Sequence, residues 1–140
     1  MNLALSSLMN KLKKQIEALN NEQLTVREKI KTLEMEAVGI KAELAKALEI
    51  PAHIIPEQEI SRLNFVIARQ QQYDDLQMRA MDYEKLLAIF QERHLRLKTE
   101  LKTLEKYRER NALKEKKAAE SIAEKEMDTW ALLKSSKKYS

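Results

Sequence analysis

Apolar residues recur at alternating three- and four-residue spacings through the first third of the chain. Met9, Ile16, Gln23, Ile30, Ala37 and Leu44 fall at heptad position a, and Leu5, Leu12, Leu19, Val26, Leu33, Ile40 and Ala47 at d. Twelve of these thirteen are apolar, and Gln23 is the exception. An unbroken register over six heptads predicts a straight, supercoiled helix with a partner along its whole length. Gly39 falls at c, on the outer face, where it costs about 1 kcal/mol without breaking the helix. Both prolines lie in Ile50-Pro51-Ala52-His53-Ile54-Ile55-Pro56, and each pushes its predecessor out of helical conformation. Helix 1 is therefore expected over about 3–49, a turn over 50–56, and helix 2 from about 57, with Glu57 and Glu59 favouring its positive end.

A second register follows, with Val66, Tyr73, Ala80, Leu87, His94 and Leu101 at a and Arg69, Leu76, Tyr83, Phe90, Leu97 and Leu104 at d. The next seam positions are Arg108, Asn111 and Glu115, so the apolar seam ends at Leu104. A fold-back about residue 54 sets residue n against residue 108 minus n, which places Leu5 opposite about residue 103. Helix 1 thus runs out where the helix 2 seam runs out. The fold class expected is all-α: one antiparallel two-helix coiled-coil hairpin, with arms of about 45 residues spanning roughly 65 Å. From Glu105 to about Leu133 there is no Pro or Gly, so helix 2 is expected over about 57–133, unpaired from about 105. Its own stripe of Ala118 or Ala119, Ile122 or Ala123, Met127, Trp130 and Leu133 asks for a partner. Residues 134–140 read as a frayed tail.

Composition narrows the class further. Of 140 residues, 79 are Ala, Glu, Lys, Leu or Arg, the mix of long helices and coiled coils. One Gly leaves no material for phosphate-cradling loops or tight β-turns, which excludes sandwiches, barrels and dinucleotide-binding enzymes. The absence of Cys removes disulfides and thiolate metal sites. No apolar run reaches the ~20 residues that cross a bilayer, and the lysines Lys11, Lys13 and Lys14 follow the apolar start instead of preceding it, unlike a secretory signal. A cytoplasmic, non-membrane-spanning protein is the expectation.

Candidate chemistry is sparse. A two-helix hairpin has nowhere to build a dry pocket, so no enzyme, no small-molecule substrate and no cofactor are expected. His53 in the turn and His94 on the seam lack companions for a metal site, and His94 reads as a partly buried seam residue. Asp74, Asp75 and Asp82 fall on different helical faces and read as solvated. The net charge of +4 is interleaved, as in Arg108-Glu109-Arg110, so no clean basic stripe points to nucleic acid. The Leu3 to Leu19 stripe, flanked by lysines, would suit a membrane surface, but the seam already accounts for it. Tyr73, Tyr83 and Phe90 sit at seam spacing and read as core. Phe65, at g, is expected to be half-covered and free to meet another protein. Trp130 reads as an interface anchor on an unpaired helix, the alternative being an aromatic packed back on the Leu5 end of the hairpin.

In length, in its longer second helix and in three local stretches, the chain resembles the FliJ family of flagellar export proteins and its type III secretion counterparts of the YscO class. Ile60 to Phe65 followed by Val66 is similar to that family's start of helix 2, with Phe65 matching a position that contacts the export gate. Leu104-Glu105-Lys106-Tyr107-Arg108-Glu109-Arg110 is similar to its charged segment. Glu124-Lys125-Glu126-Met127-Asp128-Thr129-Trp130-Ala131 is similar to its terminal Met-Asp-x-aromatic-Ala stretch. The resemblance implies an antiparallel coiled coil like the γ stalk of F-type ATPases. Its helix ends would enter the hexameric export ATPase, and it would touch the export-gate membrane protein and substrate chaperones.

The function expected is a non-catalytic stalk at the cytoplasmic face of a bacterial protein-export apparatus, flagellar or virulence-associated. Leu5, Leu8, Tyr107, Arg108, Arg110, Met127, Asp128, Trp130 and Leu133 would meet the ATPase ring, and Phe65 with the turn-proximal part of the hairpin would reach the export gate. The alternative is a coiled-coil tether that self-associates through the helix 2 overhang.

Overall fold

The seam reading translates directly into helices. The computed structural model describes residues 3–138, and side chains from 3 to 136. It contains α1, Leu3–Ala47, and α2, Pro56–Lys138, with the non-helical segment 48–55 between them. No strand occurs among the described residues. The two long helices pack against each other as an all-α helical hairpin.

Contacts group the described residues into two compact units, each drawing on both helices: residues 15–96, and residues 3–14 with 97–138. In the 15–96 unit, Leu19, Gln23, Val26, Ile30, Leu33, Ala37 and Leu44 of α1 are buried, as are Leu76 and Ala80 of α2. At its centre Leu33, Ala37, Leu76 and Ala80 cluster, flanked by Ile40, Tyr73 and Tyr83. The small side chains at 37 and 80 leave room for the two tyrosines to lie over them, so the aromatic residues at seam spacing are packing residues. In the other unit Met9, 1% exposed, and Leu12 are buried, and Leu97, Leu101 and Leu104 are half-buried.

The helices in the 15–96 unit run antiparallel: Lys29 lies over the Tyr83 ring at 5.5 Å, Glu43 pairs with Arg69 at 3.0 Å, and Arg62 reaches the Ala47 carbonyl at 2.8 Å. Each α2 partner lies one to four residues farther along than a fold-back about residue 54 predicts. Helical side chains lean toward their own N-terminus. In an antiparallel pair that lean carries α1 side chains toward higher α2 numbers, and α2 side chains toward higher α1 numbers. The same offset extends cover on α2 beyond Leu104: Glu105 and Asn111 are half-buried, whereas every residue from 112 to 136 is exposed. The unpaired stretch therefore begins after Asn111 instead of at about 105.

Helix boundaries differ from expectation at three points. α1 ends at Ala47, two residues early, with Leu48 and Glu49 N–H groups still bonded to the Leu44 and Lys46 carbonyls. α2 starts at Pro56 itself, where a missing N–H costs nothing. It also continues to Lys138, through most of the stretch expected as a frayed tail, because Lys134 to Lys138 contains no Gly or Pro and serine costs only a few tenths of a kcal/mol against helix. Residues 139 and 140 lie outside the described residues.

Candidate partner-binding surfaces

α2 carries its unpaired stretch on sequence alone, since Ala, Lys and Glu hold a helix together without tertiary contacts better than other residues do. There Ile122, Met127, Trp130, Leu132 and Leu133 are exposed, Trp130 by 67%. Met127, Trp130 and Leu133 follow one another at three-residue spacing and share a face. Shallow grooves flank the indole on both sides. One is lined by Ile122, Lys125, Glu126, Thr129 and Leu133, the other by Ala123, Glu126, Met127, Ala131 and Lys134. Lys134 Nζ lies 6.0 Å from the Trp130 ring centroid, and the Thr129 hydroxyl donates to the Lys125 carbonyl at 2.8 Å. The indole is thus not packed back on the start of α1.

The remaining residues expected to meet the ATPase do not join this face. Asp128 is two residues from Trp130, about 200° around the helix, and points away from it. Arg108 and Arg110 bear the same relation to each other and lie about 30 Å along the axis from Trp130. Tyr107, Arg108 and Arg110 are exposed, Leu8 is exposed, and Leu5 is half-buried in the paired part. The unpaired stretch therefore offers an apolar tract at 122–133, and a separate charged collar at 107–110 lies on α2 just before it.

Phe65 is 40% exposed, and the Arg69 guanidinium sits over its ring at 5.3 Å. Arg69 also pairs with Glu43 and donates through Nη1 to Gln72 Oε1 at 2.7 Å. A cation on the seam is thus held by three neighbours, and one face of the Phe65 ring is spoken for. A groove continues along this side of the 15–96 unit, past Gly39, Glu36, Gln72, Asp75 and Arg79.

A third apolar surface lies in the turn-proximal part of the hairpin, and its residues were not singled out in the sequence. Leu48, Ile50, Ile54 and Ile55 in the turn, and Ile60, Leu63 and Ile67 on the first turns of α2, are all exposed, Ile50 by 90%. The register itself signals this, because Ile60 and Ile67 fall at b and Leu63 at e, outside the seam. Among the described residues no cluster of three or more His, Cys, Asp or Glu is placed to hold a metal ion, and no helix is long and apolar enough to cross a membrane.

Comparison of the chain with protein-family models, with curated proteins and with solved structures finds no match.

Proposed function

We propose that the protein is a non-catalytic stalk of a bacterial type III export apparatus, flagellar or virulence-associated, acting at the cytoplasmic face of the inner membrane. The observation that carries this reading is the unpaired end of α2: some 25 consecutive exposed residues with a Trp130-centred apolar tract, preceded by a charged collar at 107–110. A helix that leaves its partner and keeps an apolar face is built to be covered by something else. A hexameric ATPase ring supplies such a cover. Trp130, Met127 and Leu133 would seat in the ring's apolar lining, with Leu5 and Leu8 at the start of α1. Tyr107, Arg108, Arg110 and Asp128 would make contacts around it. Phe65 and the surfaces near the turn would reach the cytoplasmic part of the export gate, and substrate chaperones are further partners on this reading.

The same exposed tract supports a second reading, a tether that self-associates through the overhang. Mass separates the two. A stalk sediments as a 16.4 kDa monomer at micromolar concentration and stimulates the export ATPase, with stimulation lost in Trp130→Ala. A tether sediments as a dimer or larger and leaves ATP turnover unchanged.

A further inference from the structure

We infer that the outer side of α2 over residues 102–117 is a contact surface for an anionic lipid bilayer. Charge alternates along this stretch of the chain but is sorted around the helix. At about 100° per residue, Lys102, Lys106, Arg110, Lys114 and Lys117 fall within about 120° of the circumference. No Asp or Glu between them enters that arc, and Glu109 stands at its edge. The row is roughly 22 Å long. All five cations are exposed, and none makes an ion pair among the described residues. Leu101, Leu104 and Asn111, half-buried on the paired side, lie across the helix from them. The arc therefore faces away from α1.

The surroundings of the row select a bilayer among polyanions. α1 backs it as far as Asn111, which makes a body about 20 Å across, too broad for the ~12 Å major groove of duplex DNA. Leu113, 54% exposed, sits inside the arc, and Tyr107, also exposed, borders it. A leucine among long cationic side chains suits the boundary where hydrocarbon lies beneath a layer of phosphates: the leucine dips and the cations reach back to the headgroups.

The contact also has an end. Glu120, Glu124 and Asp128 occupy the same arc directly after Lys117, and anionic headgroups repel them. The helix therefore leaves the surface beyond Lys117, and Trp130, the one Trp of the chain, stays in water.

This surface goes beyond the stalk reading, and its test needs neither the export ATPase nor the gate. The full-length chain is sedimented with vesicles of equal parts phosphatidylglycerol and phosphatidylcholine, and with vesicles of phosphatidylcholine alone. It is expected to bind the first and not the second, and to be released as NaCl rises from ~50 to ~500 mM. Lys106→Glu with Lys114→Glu should weaken binding about tenfold or more, whereas the charge-matched Lys31→Glu with Lys41→Glu on α1 should weaken it less than about threefold. All four positions are exposed, so helix content should be unchanged in both. Trp130 emission should keep its wavelength on binding. Failure to bind the anionic vesicles, or equal loss in the two double variants, overturns the inference. A blue shift of Trp130 emission overturns it in favour of insertion by the apolar tract at 122–133. Binding to duplex DNA but not to vesicles overturns it in favour of nucleic acid.

Discussion

Arg62 donates from Nη1 to the Ala47 carbonyl at 2.8 Å, so the second turn of α2 caps the last turn of α1. Glu59 holds the same guanidinium through Nε at 3.2 Å and Nη2 at 2.6 Å. The bond places a cation at the negative end of the α1 dipole and satisfies one carbonyl that the helix end leaves open. It also ties the two helices together across a turn that has no backbone ladder of its own. Arg62→Ala should therefore destabilise the hairpin by about 1 kcal/mol, discounted for its partial exposure, as read from the urea midpoint.

Two seam positions carry side-chain nitrogens with nothing to bond. Gln23 Nε2 and His94 Nε2 are buried without a hydrogen-bond partner, and Gln23 is 6% exposed. An unmet buried donor or acceptor costs about 1–3 kcal/mol, and an apolar residue at a would instead extend the seam. Gln23→Leu and His94→Leu are each expected to raise stability by about 1–2 kcal/mol. A fall in the urea midpoint of either variant would show that the nitrogen has a partner in solution.

Gly39 sits mid-helix, with no positive φ and nothing within 4 Å of the position a Cβ would take. Its only structural effect is the backbone freedom it gives the unfolded chain. Gly39→Ala should stabilise the fold by about 0.5–1 kcal/mol and leave partner binding unchanged unless the groove beside it is occupied. Stabilisation with lost binding would place a partner in that groove.

Trp130 touches little but the Lys134 ammonium, so its removal should be silent in the free protein. Trp130→Ala is expected to move the urea midpoint by less than about 0.5 kcal/mol, while a buried anchor in a complex would cost about 2 kcal/mol or more of binding. A large stability loss would mean that the indole packs on its own chain in solution.

The heptad made the fold legible. All thirteen seam positions read on α1 and all twelve on α2 are buried or half-buried, including the out-of-pattern Gln23, Arg69 and His94. A period of seven is a geometric statement about which face meets the partner, and residue type at a single position does not override it. The pairing offset and the Arg62 cap were not legible, because both depend on the direction and reach of long side chains across the interface. The exposed apolar residues at the start of α2 were legible in the register, since Ile60 and Ile67 at b and Leu63 at e fall outside the seam, but they were not singled out.

The claim that function resides on the unpaired end of α2 is tested most directly by ATP turnover of the export ATPase with the full chain and with a chain ended at Asn111. Residues 112–136 are exposed throughout, so the shortened chain should keep the urea midpoint of the hairpin. The account predicts that it neither binds the ATPase nor raises its turnover, whereas the full chain does both. Equal stimulation by the two forms would contradict it.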